Sequence, residues 1–134
     1  MSYLNVWIHL VWSTKNREKV LIHEIKNIII DHIKNNALKK NIQIDCIDGY
    51  SDHLHCLIKL KPQQSICNIA NLIKGESSFW INRNRITGSS FSWQNDYYAT
   101  SVSFSAVNIV RNYISKQEEH HLRFSYEDEL NNLI

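Results

Sequence analysis

The chain has 134 residues, 43% of them hydrophobic, so it is long and apolar enough to form one domain (residues 1–134) with a buried core. Its formal net charge of +2 does not indicate a polybasic nucleic-acid binder, so any contact with nucleic acid must depend on where the charges lie. No apolar run approaches the roughly 18 residues of a membrane span, and the N-terminus lacks the pattern of a signal peptide, so a cytoplasmic location away from any membrane is expected.

Apolar residues alternate with polar ones in four segments and recur at helical spacing in three, which predicts the element order βαββαβα. The predicted strands are residues 3–13, 42–47, 51–60 and 97–104, and the predicted helices are residues 22–40, 66–80 and 107–117. Ser65 or Gln64 is expected to cap the second helix, and Ser105 the third. The order is that of an α+β, ferredoxin-like or RRM-like fold. Such a fold has an antiparallel four-stranded sheet with two helices on one face, to which the last helix is extra.

The third predicted strand carries two histidines on one face. Its apolar side chains alternate and would face the core: Leu54, Cys56, Ile58 and Leu60. His53 and His55 point to the opposite face, where two imidazoles two positions apart on an extended strand can reach one divalent metal. On its own, such a pair is more often part of a polar sheet face. Because Cys56 points the other way, a zinc site in which it joins the histidines is not expected.

The last predicted helix brings a tyrosine and a glutamine onto one face. Its buried stripe consists of Val107, Val110 and Ile114. Tyr113 and Gln117 are four residues apart, so a phenol that can attack and an amide oxygen that can ligate a cation lie one turn from each other. Taken singly, Tyr113 would be a core aromatic and Gln117 a surface amide. The functional hypothesis therefore depends on their joint occurrence with the two histidines.

With these features the sequence resembles the HUH single-strand DNA transposases of the IS200/IS605 type, also called Y1 transposases. Proteins of that family have a His-hydrophobic-His strand and a later helix with one catalytic Tyr and a Gln four residues on. The resemblance covers most of the chain in ordered blocks: residues 8–21, Asp52–His55, Leu72–Ser78, Trp93–Gln94 with Tyr97, Ser101–Val102, and Tyr113 with Gln117. Glu18 and Glu76 depart from it, because the family often has basic residues there. The departures concern DNA contacts rather than the chemistry.

The resemblance implies a metal-dependent tyrosine transposase that cleaves and rejoins single-stranded DNA at hairpin-bearing element ends. Tyr113 would be the catalytic nucleophile and would form a covalent 5′-phosphotyrosine. The ligands of a divalent metal, Mg²⁺ or Mn²⁺, would be His53, His55 and Gln117. The resemblance also implies a homodimer with shared active sites, in which a tyrosine helix, often from the partner subunit, covers an otherwise open sheet face. The side chains expected on that open face are His9, His53, His55 and Lys59. Whether Tyr113 acts in cis or in trans stays open, as does the identity of the metal.

The basic residues are unevenly distributed, and some of them are candidate phosphate contacts: Lys15, Arg17, Lys74, Arg83 and Arg85. Tryptophan and tyrosine residues are interleaved with them and could stack on unpaired bases. The sequence has no Gly-x-x-x-x-Gly-Lys loop, so an ATP-driven motor is not expected and the DNA has to be single-stranded already. A covalent phosphotyrosine conserves bond energy, which makes ATP unnecessary for rejoining as well.

Three other hypotheses fit parts of the sequence. A non-catalytic RRM-like module would stack bases on exposed sheet aromatics such as Trp7, but two histidines on the central strand do not suit it. A metal-dependent phosphodiesterase would use water as the nucleophile and leave Tyr113 structural. A domesticated, repeat-associated tyrosine transposase would share the chemistry. Such proteins usually carry more sequence after the tyrosine helix, so a mobile-element transposase is the favoured expectation.

Overall fold

The computed structural model of the protein describes residues 2–117. Within that range the chain forms four strands, β1 (Val6–Ser13), β2 (Gln43–Gly49), β3 (His53–Leu60) and β4 (Tyr98–Val102), and three α-helices, α1 (His23–Lys39), α2 (Ile66–Arg83) and α3 (Val107–Ser115). The strands form one antiparallel sheet in the order β2-β3-β1-β4. The predicted α+β class and ferredoxin-like arrangement are therefore confirmed. No helix in this range is both long enough and apolar enough to cross a membrane.

Most predicted elements differ from the observed ones by a few residues at their ends. The first strand begins at Val6 rather than at residue 3. Of the two predicted caps of α2, Ser65 is the observed one, because its side chain accepts a backbone N–H of the first turn at 3.1 Å. The predicted cap of α3 is wrong, since Ser105 lies inside a short 3-10 turn (Phe104–Ala106) that leads into the helix. α3 also ends at Ser115, two residues earlier than predicted.

The main hydrophobic core lies between the sheet and the two long helices. Alternate residues of β1 and β3 meet the apolar stripes of α1 and α2. The buried side chains of this core include Leu10, Trp12, Ile29, Ile33, Leu54, Cys56, Ile58, Ile69 and Ile73. The predicted alternation of β3 is thus correct, and its histidines point away from this core.

The opposite face of the sheet, which was expected to be open until a tyrosine helix covers it, is covered by α3 of the same chain. α3 packs across it, and Val107 and Ile114 form a second apolar cluster with Trp7 and Leu57 of the sheet. The physical reason is that this face also carries large apolar side chains, which the nearby amphipathic helix removes from water. Trp7 is only 6% exposed, so bases could stack on it only if α3 moved.

The polar residues expected on the open face share this burial. His9 is 3% exposed, and His53 and His55 are both 0% exposed. Lys59 is the exception, because it is half-buried with its Nζ 5.7 Å from the centre of the Trp7 ring. All three histidines therefore lie on a covered face of the sheet rather than on an open one.

The turn between β2 and β3 determines where the histidine strand begins. At Gly49 any Cβ would clash with the backbone oxygen of His53 and with Leu54, so only glycine fits. The backbone N–H of Tyr50 donates to the carbonyl of His53 at 3.0 Å. The buried Lys26 of α1 donates from Nζ to the carbonyl of Gly49, also at 3.0 Å. The chain therefore enters β3 in a single register.

Candidate active site

Three histidines lie side by side on the sheet face that α3 covers. His9 of β1 and His55 of β3 are diagonal neighbours, because His55 pairs directly with Val11. The Nε2 of His9 lies 2.8 Å from the Nδ1 of His55, and the ring centres of His53 and His55 are 5.1 Å apart. Buried polar groups need hydrogen-bond partners, so these contacts determine how the rings are oriented.

An acidic residue orients the first of the two strand histidines. The Oδ1 of Asp52 lies 2.7 Å from the Nδ1 of His53, and the backbone N–H of Thr14 donates to the carbonyl of Asp52 at 2.8 Å. A carboxylate on one ring nitrogen sets the tautomer and directs the other nitrogen outward. Sequence reasoning gave Asp52 no role of its own and did not pair His9 with His55. The alternation of β1 was the available signal for His9, since it places that residue on the histidine face.

The helix α3 places Tyr113 against the histidines. The ring centre of Tyr113 lies 5.6 Å from that of His55 and 6.0 Å from that of His9, both in edge-on geometry. Its side chain is half-buried. Arg111 of the same helix makes a two-point ion pair with Asp45 of β2, with both N···O distances 2.7 Å. The predicted tyrosine and the predicted histidines are therefore brought together within one chain.

Gln117 lies just beyond the end of α3 and is completely buried. Its Nε2 donates to the carbonyl of Tyr113 at 3.2 Å. Its Oε1 has no hydrogen-bond partner among residues 2–117. Leaving a buried polar atom unsatisfied costs about 1–3 kcal/mol, so an amide oxygen in this position is suited to bind a further group such as a cation.

These side chains have the chemistry of a divalent-cation site. The Nδ1 atoms of His53 and His55 face Asp52 and His9, so Nε2 is the ring nitrogen of each that can coordinate a metal. With the oxygen of Gln117 they make a set of two imidazoles and one amide, which suits Mn²⁺ and also allows Mg²⁺. Within the described part of the chain, no three His, Cys, Asp or Glu side chains are arranged to hold a metal. A metal site here therefore depends on Gln117.

Two of the five predicted phosphate contacts share a cleft. Lys15 and Lys74 line a space of about 470 Å³ between α2, the turn after β1 and residues 92–95. Lys74 is only 9% exposed, and its Nζ donates to the backbone carbonyls of Asn95 and Asp96 at 2.9 and 3.1 Å. Burial lowers the pKa of Lys74, while the charge of Asp96 acts in the opposite direction. Lys74 thus shapes the wall of the cleft, and Lys15 is its exposed cation.

The other three predicted contacts do not line that cleft. Arg17 belongs to the short turn after β1, whereas Arg83 and Arg85 are exposed at and just beyond the end of α2. Glu76, which departs from the family pattern, also has a place in the fold. Its carboxylate lies 2.6 Å from the Nε2 of His32 and so connects α2 to α1.

The sequence matches a known protein family over the whole described range. A family model described as "Transposase IS200 like" matches residues 2–117. A curated relative, the ISDra2 transposase TnpA of Deinococcus radiodurans, is 30% identical over 70 residues. Those residues are 52% of this chain and 50% of that protein, so the match spans half the length of the relative.

Two solved structures share the fold. A Deinococcus radiodurans R1 protein described as a transposase has a TM-score of 0.65 at 23% identity, over 87% of this chain and 95% of the other. The structure of a REP-associated tyrosine transposase bound to a REP hairpin has a TM-score of 0.60 at 15% identity, over 90% of this chain and 72% of the other. At such identities the likeness concerns the fold alone.

Proposed function

This chain belongs to the IS200-like transposase family, and on that premise we propose that it cleaves and rejoins single-stranded DNA through a covalent intermediate on Tyr113. The observation that carries the proposal is the position of Tyr113, whose ring centre lies 5.6 Å from that of His55 and whose carbonyl accepts the Nε2 of Gln117 at 3.2 Å. The amide oxygen of Gln117 is buried and has no partner in the described chain, which favours a bound cation beside the phenol.

Tyr113 supplies the nucleophile in this mechanism. Its phenol oxygen attacks the scissile phosphorus and forms a P–O bond, while the bond between phosphorus and O3′ breaks. The phenol loses a proton and the departing O3′ gains one, which leaves a 5′-phosphotyrosine and a free 3′-hydroxyl. The reverse steps join the strand to a new 3′-hydroxyl. Because the intermediate conserves the energy of the phosphodiester, rejoining needs no ATP.

His53, His55 and Gln117 are the proposed ligands of Mg²⁺ or Mn²⁺. A cation held there would neutralise phosphate charge and polarise the phosphorus as a Lewis acid. Asp52 and His9 act behind these ligands, since each faces the Nδ1 of a neighbouring imidazole and can accept its proton in a hydrogen bond. That arrangement leaves Nε2 of each ring as the nitrogen available to a cation.

A covalent-adduct assay tests the nucleophile. The purified protein is incubated with Mn²⁺ and a 3′-labelled, hairpin-bearing single strand, and a labelled protein band that survives denaturation is expected. Tyr113→Phe should abolish both the adduct and cleavage, whereas the control Tyr3→Phe, at a side chain that is 91% exposed, should retain both. An RRM-like binding module would form no adduct at all. A phosphodiesterase that uses water would still cut the strand after Tyr113→Phe.

The metal site is tested by binding as well as by activity. Titration of Mn²⁺ into Gln117→Leu, which removes the amide oxygen but keeps a side chain of similar size, should show weaker binding than in the parent protein. The His53→Ala/His55→Ala variant should neither bind Mn²⁺ at this site nor cleave DNA. Wild-type-like cleavage by that double variant would contradict the proposed ligands.

The proposed substrate is single-stranded DNA that folds into a hairpin at an element end. One protein of the same fold is described in complex with a REP hairpin. The exposed candidate phosphate contacts on this chain are Lys15, Arg17, Arg83 and Arg85, whereas Lys74, which was also predicted, is buried against backbone carbonyls. Cleavage of a hairpin-bearing single strand should greatly exceed that of the same sequence as a perfect duplex, and efficient cutting of the duplex would contradict the proposal. A repeat-associated transposase, the alternative with the same chemistry, would prefer dispersed palindromic repeats to element ends.

The proposed assembly is a homodimer with shared active sites. In the structure α3 packs on the sheet of its own chain, and two chains that exchanged this helix would form the same contacts in trans. Mixing inactive His53→Ala protein with inactive Tyr113→Phe protein should restore cleavage if the helices are exchanged. A strict monomer in sedimentation, with cleavage retained, would contradict the dimer.

A further inference from the structure

The buried anchors of α3 lie along a single line on the helix. Val107 and Ile114 are seven residues apart, which at about 100° per residue places them within about 20° of each other around the helix axis. Both are buried in the cluster with Trp7 and Leu57. Apolar contacts are non-directional. Such a line therefore holds the helix against the sheet but resists a small roll about that line only weakly.

Arg111 and Tyr113 project from opposite flanks of this line. By helical geometry Arg111 lies about 60° to one side of Ile114, and Tyr113 lies about 100° to the other side. In the structure Arg111 reaches Asp45 of the edge strand β2, whereas the ring centre of Tyr113 lies 5.6 Å from that of His55. A roll that moves Arg111 relative to β2 therefore also moves the phenol relative to the histidines.

The guanidinium group of Arg111 is oriented by three neighbours. Its Nε and Nη2 donate to the two carboxylate oxygens of Asp45, each at 2.7 Å. Its Nη1 donates to the Oδ1 of Asn108 at 2.8 Å, and its Cζ lies 5.8 Å from the centre of the Trp7 ring. The two-point pair restricts orientation as well as distance. Because the arginine side chain is 43% exposed, the pair adds little to stability, and its geometry matters more than its strength.

A bulge in β2 brings Asp45 to this position. Ile44 pairs with Ile58 and Cys46 with Leu57, so Asp45 has no partner of its own on β3. In a regular strand Ile44 and Cys46 would share one face. Here Ile44 packs against the main core, whereas Cys46 packs against the cluster under α3. The strand changes faces at Asp45, and a bulge of this kind re-aims a side chain, here the carboxylate that meets α3.

We propose that Arg111 is a positioning residue for the nucleophile: its ion pair with Asp45 fixes the roll of α3 and so sets where the phenol of Tyr113 lies relative to the histidines. At about 6 Å from the helix axis, a roll of about 20° displaces a side-chain atom by about 2 Å. A misplacement of about 1 Å at a reacting group can cost about 100-fold in rate. A pair that adds little to stability therefore controls the rate. The inference rests on the proposed function, because it takes Tyr113 as the attacking group.

The test compares the rate of adduct formation with the hydrogen exchange of the backbone amides of α3. The rate is measured in a single turnover at saturating hairpin-bearing single strand and saturating Mn²⁺. Asp45→Ala removes both contacts to the guanidinium and leaves Tyr113 and the proposed metal ligands in the chain. We expect the rate to fall roughly tenfold or more, while the amides of α3 exchange at most about fivefold faster than in the parent. A rate loss no greater than the gain in exchange is what a merely structural role predicts, and it would overturn the inference.

Charge reversal separates the pair from its two members. Arg111→Glu and Asp45→Arg each place like charges opposite each other, so each should slow adduct formation. The double variant Arg111→Glu/Asp45→Arg has an attractive pair again and should be roughly tenfold faster than either single variant. This rescue is independent of whether α3 docks on its own sheet or on that of a partner, since every pair in the double variant is matched. A double variant no faster than the single ones would overturn the inference.

The matched control is Lys34→Glu, at an exposed side chain of α1 on the other side of the sheet. It changes the net charge by the same amount as Arg111→Glu and should form the adduct at the parent rate. Equal slowing in this control would show an effect of net charge and would overturn the role of the pair.

Failure of the inference and failure of the proposed function give different results. Adduct formation that Asp45→Ala leaves unchanged would remove the inference alone. A rate loss that disappears at higher DNA concentration would assign the pair to DNA binding and would also remove the inference alone. Absence of any adduct on the parent protein would contradict the proposed function and, with it, the positioning role of Arg111.

Discussion

The docking of α3 depends on a few buried side chains, so removal of one of them should detach the helix without unfolding the sheet. α3 has nine residues, and isolated helices shorter than about 12–15 residues are marginal in water. Ile114 is 0% exposed in the cluster with Trp7 and Leu57, whereas Ile109 of the same helix is 70% exposed. The pair Ile114→Ala and Ile109→Ala therefore makes the same chemical change at a buried and at an exposed site.

The expected magnitude follows from burial. The two buried apolar anchors of the helix, Val107 and Ile114, contribute about 1.5–3 kcal/mol each. Ile114→Ala loses the transfer free energy of the removed groups and leaves a cavity, at a cost of about 2–4 kcal/mol. Ile109→Ala and Ile114→Ala both gain slightly in helix propensity, but Ile109→Ala loses no packing. It should therefore change the free energy of docking by no more than about 0.5 kcal/mol. Ile114→Ala should thus remove most of the free energy that docks α3.

Hydrogen exchange followed by mass spectrometry measures this directly. In Ile114→Ala the backbone amides of α3 should exchange roughly 30- to 900-fold faster than in the parent, while those of β1 and β3 keep their protection. Adduct formation should fall in parallel, because Tyr113 leaves the histidines, and Ile109→Ala should match the parent in both measurements. Equal exchange in the two variants, or an unprotected α3 in the parent protein, would refute the docking of this helix on its own sheet.

Three further predictions follow from single contacts. Asp52→Asn should lower the affinity for Mn²⁺ about 10- to 100-fold, because the amide is a weaker acceptor for the Nδ1 proton of His53. Calorimetric titration measures this affinity, and an unchanged value would argue against Asp52 as the residue that orients His53. Gly49→Ala should destabilise the fold by about 1–3 kcal/mol in urea unfolding, since its Cβ would clash with the carbonyl oxygen of His53; a neutral effect would mean that the turn can rearrange. Burial raises the pKa of the Cys46 thiol from 9.0 to about 11. The protonated thiol therefore contributes fully to the free energy of unfolding below pH 9, and this contribution is lost as the pH rises through 11. At mildly alkaline pH, Cys46 should be alkylated more slowly than the exposed Cys67, and the difference should disappear in denaturant.

Local periodicity by itself determined the elements of this protein and the faces of its strands. Alternation in β3 separated Leu54 and Cys56 from the histidines, and helical spacing placed Tyr113 within one turn of Gln117. The cap at Ser65 was also predictable, because a cap is a contact between neighbours in the chain. Features of this kind depend on a few consecutive residues, and the structure confirms them with shifts of a few residues at the ends of elements.

Only the tertiary structure decided which groups meet across the sheet and what covers it. The contact of His9 with His55 depends on the register of β1 against β3, and no local pattern encodes that register. The sequence indicated that α3 has an apolar stripe, but only the packed chain showed that this stripe covers its own histidine face. Lys74 reads as a free surface charge in sequence, yet its ammonium group is buried against residues 95–96. Such pairings join residues that are distant in the chain, so their energies are decided by packing and not by propensity.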